Sequence, residues 1–183
     1  DESYSLDHIS YFLSRQLFID YQLVRSINYN NDETYPENCT DCSLPDIIGN
    51  GYTLSMGYQS SFPLSLTLDI ENYDENFDIG KVGFLQRNNF INHGYYFGAQ
   101  VFNPFSIFRR TSLEFFSFYS KNYQDEKLGD GIGIDFNITF INYNNLSIHY
   151  EKHHKVYNDL YLYDPYDQVF GPTFPVPETN SID

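Results

Sequence analysis

The sequence predicts an all-β fold, an antiparallel up-and-down transmembrane β-barrel. Three observations lead there: side chains that alternate strictly in polarity, connections that alternate between short and long, and polar faces poor in Lys and Glu. The clearest stretch is GIGIDFNITFINYNNLSIHYE, residues 131–151. Ile132, Ile134, Phe136, Ile138 and Phe140 alternate with Gly133, Asp135, Asn137 and Thr139. After Asn142–Asn145 the pattern resumes with Leu146, Ile148 and Tyr150 against Ser147, His149 and Glu151.

The same period recurs upstream. Leu17, Ile19, Tyr21 and Leu23 oppose Gln16, Asp20 and Gln22, with Phe18 and Val24 interrupting the polar face. Tyr52, Leu54, Met56 and Tyr58 oppose Thr53, Ser55, Gly57 and Gln59, and Leu64, Leu66, Leu68 and Ile70 oppose Ser65, Thr67, Asp69 and Glu71. Residues two apart line up on a strand, whereas on a helix they scatter around the cylinder. Eight strands follow, over 5–12, 16–27, 50–59, 64–73, 93–102, 109–120, 131–141 and 146–152. Several reach the ~9–11 residues of a membrane-crossing strand.

Short links fall at Ser14–Arg15, Ser60–Pro63, Asn103–Phe108 and Asn142–Asn145; long ones fall at 28–49, 74–92, 121–130 and after 153. Outer-membrane barrels have this rhythm, with tight turns at one rim and long loops at the other. A soluble Greek-key sandwich has no reason to keep it. The compact polar residues of the wet faces suit a hydrated lumen, and Tyr21, Tyr52, Tyr58 and Tyr150 suit an interfacial girdle.

Composition narrows the class. The chain has 183 residues, 18 Tyr, 17 Phe and no Trp, a bias that favours strands. Ten Lys and Arg against 25 Asp and Glu, a net charge of −15, exclude a phosphate-binding surface for nucleic acid. No apolar run approaches the ~20 residues of a membrane-spanning helix. The opening DESYSLDHIS is polar and already in strand phase, so the chain reads as one domain, residues 1–183, cut from a longer protein. Acidic residues crowd the loop 28–49, which reads as solvated, with divalent-cation binding as the sharper alternative.

Candidate chemistry is sparse. Cys39 and Cys42 flank Thr-Asp in a polar loop; a disulfide is favoured, with free thiols or a metal site as alternatives. Ser147, His149 and Glu151 share a strand face, but neighbours on that face lie nearly ~7 Å apart, so a triad needs cross-strand partners. His153 and His154 read as a solvated rim, and Asp69 with Glu71 as lumen hydration. No nucleophile elbow, phosphate loop, metal cluster or cofactor motif stands out. Enzymatic activity is therefore the minor expectation, and no cofactor is expected.

Two further stretches, NFDIGKVGFLQRNNF (76–90) and VFGPTFPVP (169–177), carry a resemblance. The order and spacing of motifs through 50–177 resemble an uncharacterised bacterial family, domain of unknown function 5916. Its Val-Gly-Phe with a following Arg maps onto Val82, Gly83, Phe84 and Arg87, and its Gly-Pro then Pro onto Gly171, Pro172 and Pro175. A Phe-x-Asn-aromatic turn maps onto Phe140, Asn142 and Tyr143. Lys81 stands where the family usually has an acid, Val169-Phe170 precede Gly171 where it often has Arg-Gly, and its Trp after the Asn turn is missing. The resemblance implies the C-terminal barrel of a bacterial outer-membrane protein, with a carbohydrate-binding-family-9-like module upstream. The expected role is then structural anchoring or solute transport, with membrane lipid as partner and glycans bound through a module outside this chain. A soluble all-β carbohydrate-binding module is the alternative, and an outer-membrane hydrolase the second. Phe84 and Arg87 are expected to anchor the 74–92 loop inward, near Asp69, Glu71 or Asp135.

Overall fold

A computed structural model describes residues 2–29, 46–59, 63–78, 87–158 and 174–182. Eight long strands follow in order: β1 (Glu2–Phe12), β2 (Leu17–Asn28), β3 (Ile47–Gln59), β4 (Leu64–Tyr73), β5 (Phe90–Val101), β6 (Phe108–Lys121), β7 (Lys127–Phe140) and β8 (Asn145–His153). Each expected strand is present. Most run a few residues further toward the long-loop end than alternation reveals, because there Gly49, Asn92 and Gly129 dilute the pattern. Three short strands were not expected: β9 (Val156–Asn158), β10 (Phe174–Val176) and β11 (Thr179–Ile182).

The sheet has nine strands in the order β1-β2-β3-β4-β5-β6-β7-β8-β11, every consecutive pair of the first eight antiparallel. β9 and β10 form a separate two-stranded ladder. This is the expected up-and-down meander, but among the described residues it is open. β1 lies at one edge, and β11 covers only the Tyr150–His153 part of the β8 edge.

The register carries a stagger. One hydrogen-bonded row runs Leu17, Tyr58, Leu66, Phe97, Phe115, Ile134, Tyr150. Leu17 opens β2, whereas Phe115 lies well inside β6 and Tyr150 well inside β8. From β2 to β6 the row moves progressively away from the short-turn ends, and across β7 and β8 it moves back toward them.

A protein interior is nearly missing. Among the described residues the buried hydrophobic side chain is Phe77, at 3% exposure, on the loop after β4.

Candidate membrane-facing surface

Register places the apolar residues of eight strands on one continuous face. Leu6 lies beside Leu23 and Leu23 beside Tyr52; Leu54 beside Ile70; Met56 beside Leu68 and Leu68 beside Tyr95. The face continues through Phe97, Phe115, Ile134 and Tyr150, and through Leu113, Phe136 and Ile148. Nothing covers it among the described residues: Leu66 is 55% exposed, and Tyr95, Phe97, Ile132 and Ile148 are all open. Scattered exposed apolar side chains are ordinary on a soluble protein, but a contiguous sheet of them is not.

At the long-loop end this face turns polar. The Arg25 Nε donates to Asn50 Oδ1 at 3.0 Å, and the Asn50 backbone N–H donates to Asp74 Oδ2 at 2.7 Å. The Tyr123 hydroxyl donates to Asn72 Oδ1, whose amide donates in turn to the Tyr52 hydroxyl at 3.4 Å. Burial pushes the Tyr123 phenol above its ordinary pKa. Tyrosines with apolar bodies and hydrogen-bonded tips belong at an apolar–aqueous boundary. Tyr52 and Tyr123 thus share one network, which sequence spacing left unlinked.

The opposite face is polar and patterned by glycine. Phe18 lies over Gly57, Tyr73 over Gly51, Phe116 over Gly133 and Phe118 over Gly131, each on the neighbouring strand. A Cβ on Gly133 would sit 2.1 Å from the Phe116 ring, so only glycine admits the ring there. These aromatics, which interrupt the polar pattern in sequence, fill the glycine gaps of the next strand. Between them run paired polar groups: the Ser55 hydroxyl donates to Asp69 at 2.6 Å, and the Asn92 amide to Glu71 at 3.3 Å. Asp69 and Glu71 therefore face separate partners, not a shared cleft.

The His149 cluster is cross-strand. Its Nδ1 lies 2.6 Å from Asp135, directly opposite on β7, and its Nε2 lies 3.6 Å from Glu151, while Phe116 stacks on the ring. His153 Nε2 lies 3.2 Å from Glu151, and His154 Nδ1 lies 3.2 Å from Asp130, so both stand beside carboxylates while remaining partly exposed. The Ser147 hydroxyl donates to Asn137 rather than to His149, so a nucleophile–base contact is missing from this set. Among the described residues no group of three or more His, Cys, Asp or Glu is arranged to hold a metal. No described helix is long and apolar enough to cross a membrane.

The loop after β4 turns toward the polar face. Phe77 stacks on Tyr73 at 5.2 Å, its backbone lies against Gly49, and the Asp78 N–H donates to the fully buried Ser26 at 3.0 Å. The Asn89 amide donates to Gln124 at 2.9 Å, and the Tyr123 N–H donates to Asn89 Oδ1 at 2.9 Å, tying this loop to the next one. Inward anchoring was expected at Phe84 and Arg87; Phe84 lies outside the described residues, and Arg87 lies 5.1 Å over the Phe90 ring. Among the described residues Phe77, Asn88 and Asn89 also hold this loop. Phe77 stands alone in a polar run, so no periodicity could signal it. Val82, Gly83, Phe84, Gly171, Pro172, Cys39 and Cys42 lie outside the described residues. Pro175 sits in β10 opposite Tyr157, and Phe140, Asn142 and Tyr143 form the β7–β8 turn.

The family described as Domain of unknown function (DUF5916) matches residues 17–178. The chain belongs to this family. No curated protein and no solved structure matches it. In this DUF5916 member the matched span opens at β2 and closes between β10 and β11, so it covers both the apolar face and the His149 cluster.

Proposed function

We propose that this DUF5916 chain forms consecutive strands of a β-barrel spanning a bacterial outer membrane, its apolar face against lipid and its polar face lining the interior. One observation carries the reading: a mainly apolar face runs across eight strands, interrupted at His8, Ser10, His93 and Ser117, with no second layer over it among the described residues. Exposed to water, such a face is unfavourable by about 25 cal/mol for each Å² of apolar surface. The rhythm of short turns and long loops favours the same reading. The open edges of β1 and β8 then pair with further strands of a larger barrel. In the complete protein this barrel anchors a glycan-binding module or passes a solute, since barrels larger than eight strands leave a channel.

A soluble carbohydrate-binding module is the competing reading, favoured by the exposed Tyr and Phe. Those rings lie in one continuous strand face, not in a concave site. Extraction of the intact protein decides between them. A barrel remains with the envelope fraction, needs detergent to stay monodisperse, and migrates differently on gels before and after heating. Monodisperse behaviour in detergent-free buffer, with no vesicle association, would end the membrane reading.

A further inference from the structure

The two ends of the sheet differ in charge. Residues 10–19, 56–67, 98–113 and 136–148, which make the four short turns and the strand ends beside them, contain Arg15, Arg109 and Arg110 and not one Asp or Glu. The chain as a whole holds 25 acids against 10 Lys and Arg. The short-turn rim of a strongly acidic protein is thus free of carboxylates and carries its charge as arginine.

The same rim is apolar at its tips. Phe102 is 63% exposed, Ile107 59%, Ile141 54% and Tyr143 70%. Turns in water favour Gly, Asn, Asp and Ser. Here the β5–β6 and β7–β8 turns are held together, with the Ile141 N–H donating to the Ile107 carbonyl at 3.0 Å and Phe105, Phe108 and Phe140 in a chain of ring contacts. Two arginines rise from this platform. The Arg109 guanidinium lies 4.4 Å over the Tyr143 ring and that of Arg110 lies 4.9 Å over Phe102. Arg110 also donates to Gln100 at 3.4 Å, but among the described residues neither arginine meets a carboxylate. Ring contact leaves most guanidinium donors unused, and their fork matches a phosphate. Arg110, with Ser112, Asn137 and Thr139, lines a recess of about 250 Å³ on the polar face, so in the membrane reading it belongs to the interior.

We propose that this rim binds the headgroups of anionic phospholipids, with Arg109 taking phosphate oxygens and Ile107, Ile141 and Tyr143 embedded at the acyl boundary. It rests on the membrane reading for the placement of the rim at headgroup depth. Apolar tips favour a lipid surface over an acidic protein, which would leave them in water.

The test is flotation of the intact protein with phosphatidylcholine vesicles and with the same vesicles doped with phosphatidylglycerol. Wild type is expected to prefer the anionic vesicles, and the preference should fade with added salt. An arginine near an anionic surface contributes about 1 kcal/mol, so Arg109→Gln should lower that preference by roughly fivefold. Arg110→Gln, on the interior side, and Arg25→Gln, at the opposite end, should leave it unchanged. Should the Arg109 variant fail to fold, wild type in micelles containing both lipids provides the second measurement: native mass spectrometry should find phosphatidylglycerol retained over phosphatidylcholine. Equal binding to neutral and anionic vesicles, or equal retention of both lipids, overturns the proposal. Failure of the membrane reading is separately visible, as strands open to protease in vesicles of either composition.

Discussion

The two faces of the sheet use the same backbone to opposite ends. On one face, large apolar side chains stand beside large apolar side chains, from Leu6 and Leu23 to Phe136 and Ile148, and they end in open space. On the other, large rings are matched to glycines, as Phe116 is to Gly133, and carboxylates are matched to hydroxyls, amides or imidazoles. Much of the polar face is paired within the chain among the described residues. The apolar face is completed only by a surrounding medium.

That contrast can be broken most sharply by charge. Phe115→Arg on the apolar face should destabilise the protein in vesicles by about 2–4 kcal/mol, the cost of Arg at a bilayer midplane. Asn137→Arg on the polar face should cost less than about 1 kcal/mol, as surface substitutions away from special features do. Denaturant titration of both variants gives the answer, and equal small effects would mean that the two faces see the same solvent.

Gly133→Ala probes the other face. The new Cβ would meet the Phe116 ring at 2.1 Å, so the ring must leave its place over the strand. Overpacking of this kind costs about 1–3 kcal/mol. Phe116→Ala combined with Gly133→Ala should recover most of the alanine clash, which a double-mutant cycle measures. Additive losses would mean that ring and glycine are not coupled.

The smallest effect is expected at the β8–β11 edge. Lys152 Nζ lies 2.7 Å from Glu178, and this hydrogen bond holds the Glu178 carboxyl below its ordinary value of 4.5. A carboxyl with a depressed folded pKa contributes stability above its unfolded pKa and loses it as pH falls through the folded one. Hydrogen exchange of the Thr179–Ile182 amides should therefore quicken as pH drops below about 4.5, relative to an intrinsic-rate control. Glu178→Gln should remove that pH dependence. An unchanged profile in the variant would separate β11 docking from the ion pair.

Much of the fold was legible in the residues. Side chains on a strand alternate with a period of two, so Leu64–Glu71 or Ile132–Phe140 declare their own conformation. The order of the sheet followed from connection length, since links such as Asn142–Asn145 allow only an antiparallel neighbour. The polar face was less legible. His149 and Glu151 were visible as neighbours along one strand, but Asp135, the partner of His149, is set by the β7–β8 register. The part played by Phe77 was not legible, because a lone Phe among polar residues leaves no periodic trace.

The sequence by itself determined that this is a meander of long amphipathic strands, with acidic loops at one end and arginines at the other. Those properties are local, carried by side-chain period and by the placement of charge along the chain. Tertiary structure alone decided that Phe116 meets Gly133, that His149 meets Asp135, and that eight separate apolar stripes fuse into one uncovered face. Each of these depends on which residue of one strand stands opposite which residue of the next, and hydrogen bonding between strands fixes that only once the sheet has formed.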